Sequence, residues 1–245
     1  MLPFFNEKGM LTPERLLRNR VEYPKTMIVT WQAQILRAID RKYEVKQVAT
    51  FRCGVPCAVY GFEVRRENLA VVVLPIGSPV VAGFMEEAIV QGVRRFVCVG
   101  YAGSLSPVTR ERIVVPTRAF RDEGTSWHYV EHESEWIEIP SARHLDAVLS
   151  EMGVPHVCGP VWTTDAMYRE TASAVKLMRE RQCLCVDMEC AAVIAVAQFR
   201  QVQCLQMMFG ADRLESEEWN VGKMRGLGRD AYEKYAEIAV KVGMS

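Results

Sequence analysis

The sequence predicts an α/β protein: a three-layer fold with a central mixed, largely parallel β-sheet, partly barrel-like, flanked by helices. Two observations carry this. Strand-length apolar runs alternate with helix-length patterns through most of the 245 residues, and strands followed by helices of that length imply crossover units. The runs at 69–74, 95–99 and 203–209 are largely apolar, interrupted by Arg95, Gln203 and Gln206, rather than alternating, which suits central strands covered on both faces. In chain order, strands are expected at 27–30, 47–51, 56–60, 69–74, 95–99, 113–116, 156–162, 183–186 and 203–209. Helices are expected at 32–42, 79–91, 142–152, 172–181, 188–199 and 226–242. The 45–60 stretch reads as an antiparallel pair joined near Gly54-Val55. Ser78 is a good N-cap and Pro79 fits the first helical position of the second helix. With no low-complexity linker, composition shift or internal repeat, one domain over 1–245 is the economical reading, with 1–23 as an N-terminal extension.

Thirty basic and thirty acidic side chains balance, so nothing points to nucleic acid or an anionic membrane as partner. No apolar run reaches the roughly 18 residues of a membrane helix. Residues 1–19 lack the basic-then-apolar order of a signal peptide. Of the eight cysteines, Cys98, Cys183, Cys185 and Cys204 lie in apolar runs and read as reduced core thiols of a cytoplasmic protein. Cys53-x3-Cys57 and Cys183-x-Cys185 lack the paired spacing of a zinc site, so no metal is expected.

Asp187-Met188-Glu189 stands out. It follows the strand-like Cys183-Leu184-Cys185-Val186 and precedes the apolar Cys190–Ala197. An ionised carboxylate in such a passage costs several kcal/mol unless something binds it, and acidic residues are rarely buried without a partner. A substrate with hydroxyl groups to donate is one natural partner. In open α/β sheets ligands sit beyond the carboxyl ends of the strands, which selects the loops after Leu74, Val99, Trp162, Val186 and Phe209. Pro75-Ile76-Gly77-Ser78-Pro79 is either an anion site at a helix N-terminus or a simple turn. Gly100–Leu105 permits close ligand approach but does not open a helix, so it is no dinucleotide fingerprint. Thr163–Glu170 is a polar loop that either holds a ligand or turns the chain; Asp165 or Thr171 serves equally as a helix cap. Asp212 is placed for general-acid work or caps a turn. His128, in Asp122–Tyr129, reads as an acid–base group or a structurally bonded histidine.

Together these segments resemble the purine nucleoside and uridine phosphorylase family, from about Met27 to about Arg213. The matching pieces are Ile76-Gly77-Ser78-Pro79, Val99–Leu105, Thr163–Thr171 and Val186–Ala192, in that order. Asp122–Tyr129 is similar to the corresponding region of uridine-phosphorylase-type members. The resemblance implies cleavage of a nucleoside's N-glycosidic bond by phosphate through an oxocarbenium-like transition state, giving free base and (deoxy)ribose 1-phosphate. It implies no cofactor, with nucleoside and phosphate as partners. It makes Glu189 the ligand of the ribose hydroxyls and a catalytic group, and Met188 the surface packed on the sugar. Asp212 becomes the acid that protonates a purine. Tyr101, Ala102, Met167, Tyr168 and Asp187 would line the base pocket. Arg52, Gly77 and Tyr101 would bind phosphate, Arg52 reaching into a neighbouring subunit of a dimer or a hexamer built as a trimer of dimers.

The chain also departs from the family pattern. Thr30-Trp31-Gln32-Ala33-Gln34 stands where the first phosphate loop, with its arginine, would fall, and Cys98 stands where a second phosphate arginine would lie. A thiol does not replace a guanidinium fork. The glutamine–arginine pair that reads uracil is not visible after Tyr168. Three readings stay open on sequence: a nucleoside phosphorylase, a nucleoside hydrolase of the same fold, and a nucleoside-binding protein with little catalysis.

Overall fold

A computed structural model describes residues 4–17, 20–53, 55–131, 134–214, 219–222 and 227–245. Gly54 of the expected turn and Gly226 of the expected last helix lie outside them, as do parts of the N-terminal extension. The described strands are β1 (Thr26–Thr30), β2 (Lys46–Cys53), β3 (Val55–Val64), β4 (Glu67–Val73), β5 (Arg95–Ser104), β6 (Ile113–Asp122), β7 (Trp136–Glu138), β8 (His156–Thr164), β9 (Cys185–Asp187) and β10 (Gln203–Arg213). The helices are α1 (Pro13–Leu16), α2 (Ala33–Tyr43), α3 (Ser78–Val90), α4 (Ala142–Glu151), α5 (Ala172–Glu180), α6 (Cys190–Arg200) and α7 (Arg229–Gly243).

The architecture is α/β, as the sequence predicts. β1 runs parallel to both β4 and β5, and β10 runs parallel to β5. These are the strands without polar–apolar alternation, and Met27–Val29, Ala70–Val72 and Phe96–Cys98 are fully buried. The expected antiparallel pair is β2–β3, and β3 returns antiparallel to β4. The circuit β5–β10–β6–β8–β9–β5 closes on itself, and this closure is the barrel-like part of the sheet. Helices α3 and α6 pack as one pair, α2 and α7 as another. Cys190–Ala197 of α6 is buried on every face, which explains a helix with no polar side.

Several boundaries differ from expectation, most of them at the site. Gly100–Ser104 and Gly210–Arg213, read as loops, are the ends of β5 and β10. Their glycines concealed strands that lengthen to complete the barrel. Helix α6 begins at Cys190 rather than Met188, because Asp187-Met188-Glu189 forms the turn that feeds it. Ser78 is the first residue of α3, not its cap; Gly77 holds that position at φ 117, a left-handed angle that glycine accepts without cost. Strand β7 and the single turn α1 carry too little pattern for sequence detection.

Candidate active site

The site grows from β9. This three-residue strand pairs with β5 through Gly103–Val186 and Ser104–Cys185, and with β8 through Trp162–Val186 and Thr163–Asp187. It thereby brings the carboxyl ends of β5, β8 and β10 around the turn 187–189. A cavity of about 550 Å³ opens there, lined by parts of 31–32, Ile76, 101–103, 167–170, 186–189, 211–214 and Trp219. That volume suits a small-molecule ligand.

The two carboxylates of the turn have different fates. Asp187 is bound by its own protein. Its Oδ1 accepts from the Thr163 hydroxyl at 2.7 Å, and its Oδ2 accepts from the N–H groups of Glu189 at 2.8 Å and Cys190 at 2.6 Å. Thr163 Oγ1 in turn accepts from the Ala191 N–H at 3.0 Å. Asp187 therefore caps the first turn of α6, although it also borders the cavity. Burial still outweighs these bonds and pushes its carboxyl up to about 6. Replacing Asp187 by alanine would strand two backbone N–H groups and a hydroxyl in the interior. We expect a loss of about 2–4 kcal/mol in unfolding free energy at pH 7, read from a urea titration. An unchanged midpoint would show that water satisfies those donors.

Glu189 is less completely held among the described residues. It is 6% exposed, and its Oε1 accepts from the Gly77 N–H at 2.6 Å. Burial first, then the neighbouring Asp187 charge, push its carboxyl up to about 8, against the lowering pull of the Gly77 and Met188 backbone. Beside it the Ser78 hydroxyl donates to the Met188 carbonyl at 2.7 Å. The N-terminus of α3 is thus tied to the turn twice, and Gly77, which the resemblance assigns to phosphate, spends its N–H on Glu189.

The remaining wall comes from β5, β10 and two loops. Tyr101 packs edge-on against Phe209 and its hydroxyl is hydrogen-bonded to that of Tyr232 on α7; burial raises its phenol. Ala102 is buried in the wall, Met167 is half-buried, and Tyr168 is 93% exposed at the rim. Asp212 Oδ2 accepts from the Trp219 indole N–H at 2.8 Å. The chain returns to make that contact through a two-bond bridge between Arg213 and Asn220. The Trp31 ring lies where a Cβ on Gly100 would come within 2.8 Å of it, so Gly100 is the residue that lets this indole into the wall.

Of the residues singled out from sequence, Tyr101, Ala102, Met167, Tyr168, Asp187, Met188, Glu189 and Asp212 line this one cavity. Arg52 does not. It is exposed on β2 beside a separate groove formed with Gln47–Thr50 and Glu87. His128 faces another cavity, with Phe5 and Tyr129. Asp165 accepts from the Gly124 N–H at 2.9 Å, and Thr171 caps α5 through the Ala174 N–H at 3.3 Å. Sequence reasoning missed Glu170, Trp31, Gln32 and Trp219. Glu170 is half-buried, and burial together with the Asp212 charge pushes it up to about 7. A carboxylate in the loop after β8 was the available signal. Trp219 offered none, since its approach depends on the return of the chain to β10.

Chemically, the cavity is an acidic, largely apolar chamber. It holds four carboxyl groups (Glu170, Asp187, Glu189 and Asp212) and, among the described residues, no lysine, arginine or histidine. It can accept hydrogen bonds from hydroxyls, stabilise a positive charge and deliver a proton.

Comparison with known proteins is consistent with this geometry. The chain is 27% identical over 148 residues to an uncharacterized protein of Acanthamoeba polyphaga mimivirus, covering 59% of this chain and 58% of that protein. It is 33% identical over 130 residues to a guanosine phosphorylase of Halorubrum lacusprofundi, covering 50% of this chain and 52% of that protein. The chain spans little more than half the length of these curated relatives. The family model described as "Phosphorylase superfamily" matches residues 34–242, a stretch that contains every residue of the cavity wall except Trp31 and Gln32. The chain belongs to the phosphorylase superfamily.

Proposed function

We propose that this protein cleaves the N-glycosidic bond of a purine nucleoside with phosphate, giving free base and a pentose 1-phosphate. The observation that carries this reading is Glu189, a buried carboxyl with one oxygen held by Gly77 and pushed up to about 8, in the cavity that also contains Met188 and Asp212. Sugar hydroxyls would donate to the carboxylate and restore its charge, and that charge favours the cationic sugar of the transition state. A phosphate oxygen bonds to the anomeric carbon as the bond to the base nitrogen breaks, and Asp212 gives the departing purine its proton. Glu170 extends the acidic wall toward the base. The guanosine phosphorylase named above supports a purine over a pyrimidine.

Among the described residues the cavity wall holds no cation. Phosphate there needs a positive group, and Arg52 from a second copy of the chain is the one the family resemblance offers. The same absence favours a second reading, hydrolysis, in which water attacks and no cation is needed. A nucleoside panel incubated with and without phosphate, with free base followed by chromatography, separates them. We expect release that depends on phosphate and is lost in Arg52→Ala. Equal release without phosphate makes the protein a hydrolase. Saturable binding without release would sink both enzymatic readings.

A further inference from the structure

At the other end of β8, on the outer surface, three side chains of different chemistry converge. His156 and Cys158 are two residues apart on the strand and so project from the same face. Asp146 comes from the exposed side of α4, whose buried positions are Ala142, Leu145 and Leu149. Their ligand atoms all lie within 4.8 Å of one another, and among the described residues they form the one group of three with that property. Asp146 Oδ1 lies 2.8 Å from His156 Nε2, and the Cys158 thiol donates to the same oxygen at 3.3 Å.

The histidine is pre-set. Its Nδ1 is 2.7 Å from the Val154 carbonyl oxygen, an atom that only accepts, so Nδ1 carries the proton. In the neutral ring Nε2 then presents a lone pair toward a carboxylate oxygen. A positive centre has to sit between them, either a second proton on the ring or a cation. A carbonyl that fixes the outer ring nitrogen is the arrangement that orients metal-bound histidines. The thiol adds a soft donor that a proton would not require. Tetrahedral zinc, with bonds of about 2.0 Å to nitrogen and oxygen and about 2.3 Å to sulfur, needs ligand atoms about 3.3–3.5 Å apart. Asp146, whose side chain is 52% exposed against 12% for His156, has to withdraw by only about half an ångström from His156 to bring that pair to this spacing, and its 3.3 Å to the Cys158 thiol already fits it.

We propose that Asp146, His156 and Cys158 form a zinc site, with water in the fourth position. It is remote from the nucleoside cavity: Thr163, which bonds Asp187, is seven residues further along β8, about 23 Å at strand rise. The thiol proton, and a ring proton where Nε2 carries one, leave to solvent as the ion binds. The ion would pin α4 to β8. Spacing of cysteines along the chain could not disclose such a site, because its donors come from two elements and only one is a cysteine.

Chelator-treated full-length protein titrated with Co²⁺ tests this. We expect one equivalent to produce visible d–d bands of tetrahedral intensity and a near-ultraviolet thiolate charge-transfer band, both bleached by Zn²⁺. Cys158→Ser should abolish the charge-transfer band, and His156→Ala should weaken Zn²⁺ binding at least about tenfold. Asp146→Asn, at an exposed position, repeats that test where the histidine variant misfolds. Absence of the bands, or a charge-transfer band that survives in Cys158→Ser, overturns the site.

Discussion

Glu189→Gln is expected to lower turnover by about 10²–10³-fold and, at the same time, to make the protein more stable at pH 8. The first effect follows from charge. The amide still accepts from the Gly77 N–H, but it no longer offers a full negative charge to sugar hydroxyls or to a developing cation. The second follows from burial. The folded-state carboxyl lies at about 8, above its ordinary range, so the folded protein binds this proton more tightly than the unfolded chain does. The stabilisation is complete below the unfolded value of about 4.3 and is lost as pH rises through about 8. At pH 8 the wild type therefore carries a cost that the amide does not, on the order of 4 kcal/mol. Urea titrations at pH 5 and pH 8 should show the variant ahead only at the higher pH. Asp187, pushed up to about 6, and Glu170, pushed up to about 7, act in the same direction, so the wild type itself should weaken between pH 5 and pH 8. Full activity in Glu189→Gln would remove this residue from the sugar site. A variant less stable than wild type at pH 8 would show that the carboxylate is not strained.

Asp212→Asn is expected to lower purine release by about 10²–10⁴-fold while leaving cleavage of a nitrophenyl riboside nearly unchanged. A nitrophenolate leaves without a proton, so only a substrate whose base must be protonated feels the loss of an acid. The fold should tolerate the change, since an amide oxygen can still accept the Trp219 indole N–H that Asp212 now holds at 2.8 Å. Equal losses with both substrates would mean that Asp212 positions Trp219 and the wall rather than donating a proton. Equal activity with purine nucleosides would remove it from the chemistry.

The central strands were legible in sequence because burial on both faces writes a largely apolar run without alternation, and β1, β4, β5 and β10 carry that signature, with Gln206 the polar interruption in β10. The turn 187–189 was legible for an electrostatic reason: two carboxylates between a buried strand and a buried helix need partners. Sequence could not say which partner each has. Asp187 looked like half of a ligand site and is held by Thr163 and the first turn of α6, whereas Glu189 keeps an oxygen uncommitted by any described hydrogen bond. The ends of β5 and β10 were hidden because glycines there read as loop residues; Gly100 instead makes room for Trp31.

The sequence by itself determined the fold class and marked the turn 187–189, because periodicity and the cost of burying charge are local properties of a chain; the family resemblance added Tyr101, Ala102, Met167 and Tyr168 to the cavity. Only the tertiary structure decided that the sheet closes around β9, that Glu170 and Trp219 face Asp212, and that Arg52 stands apart from its own cavity. Each of these depends on contacts between segments far apart in the chain, and no local pattern encodes which carboxylate the fold satisfies and which it leaves for a ligand.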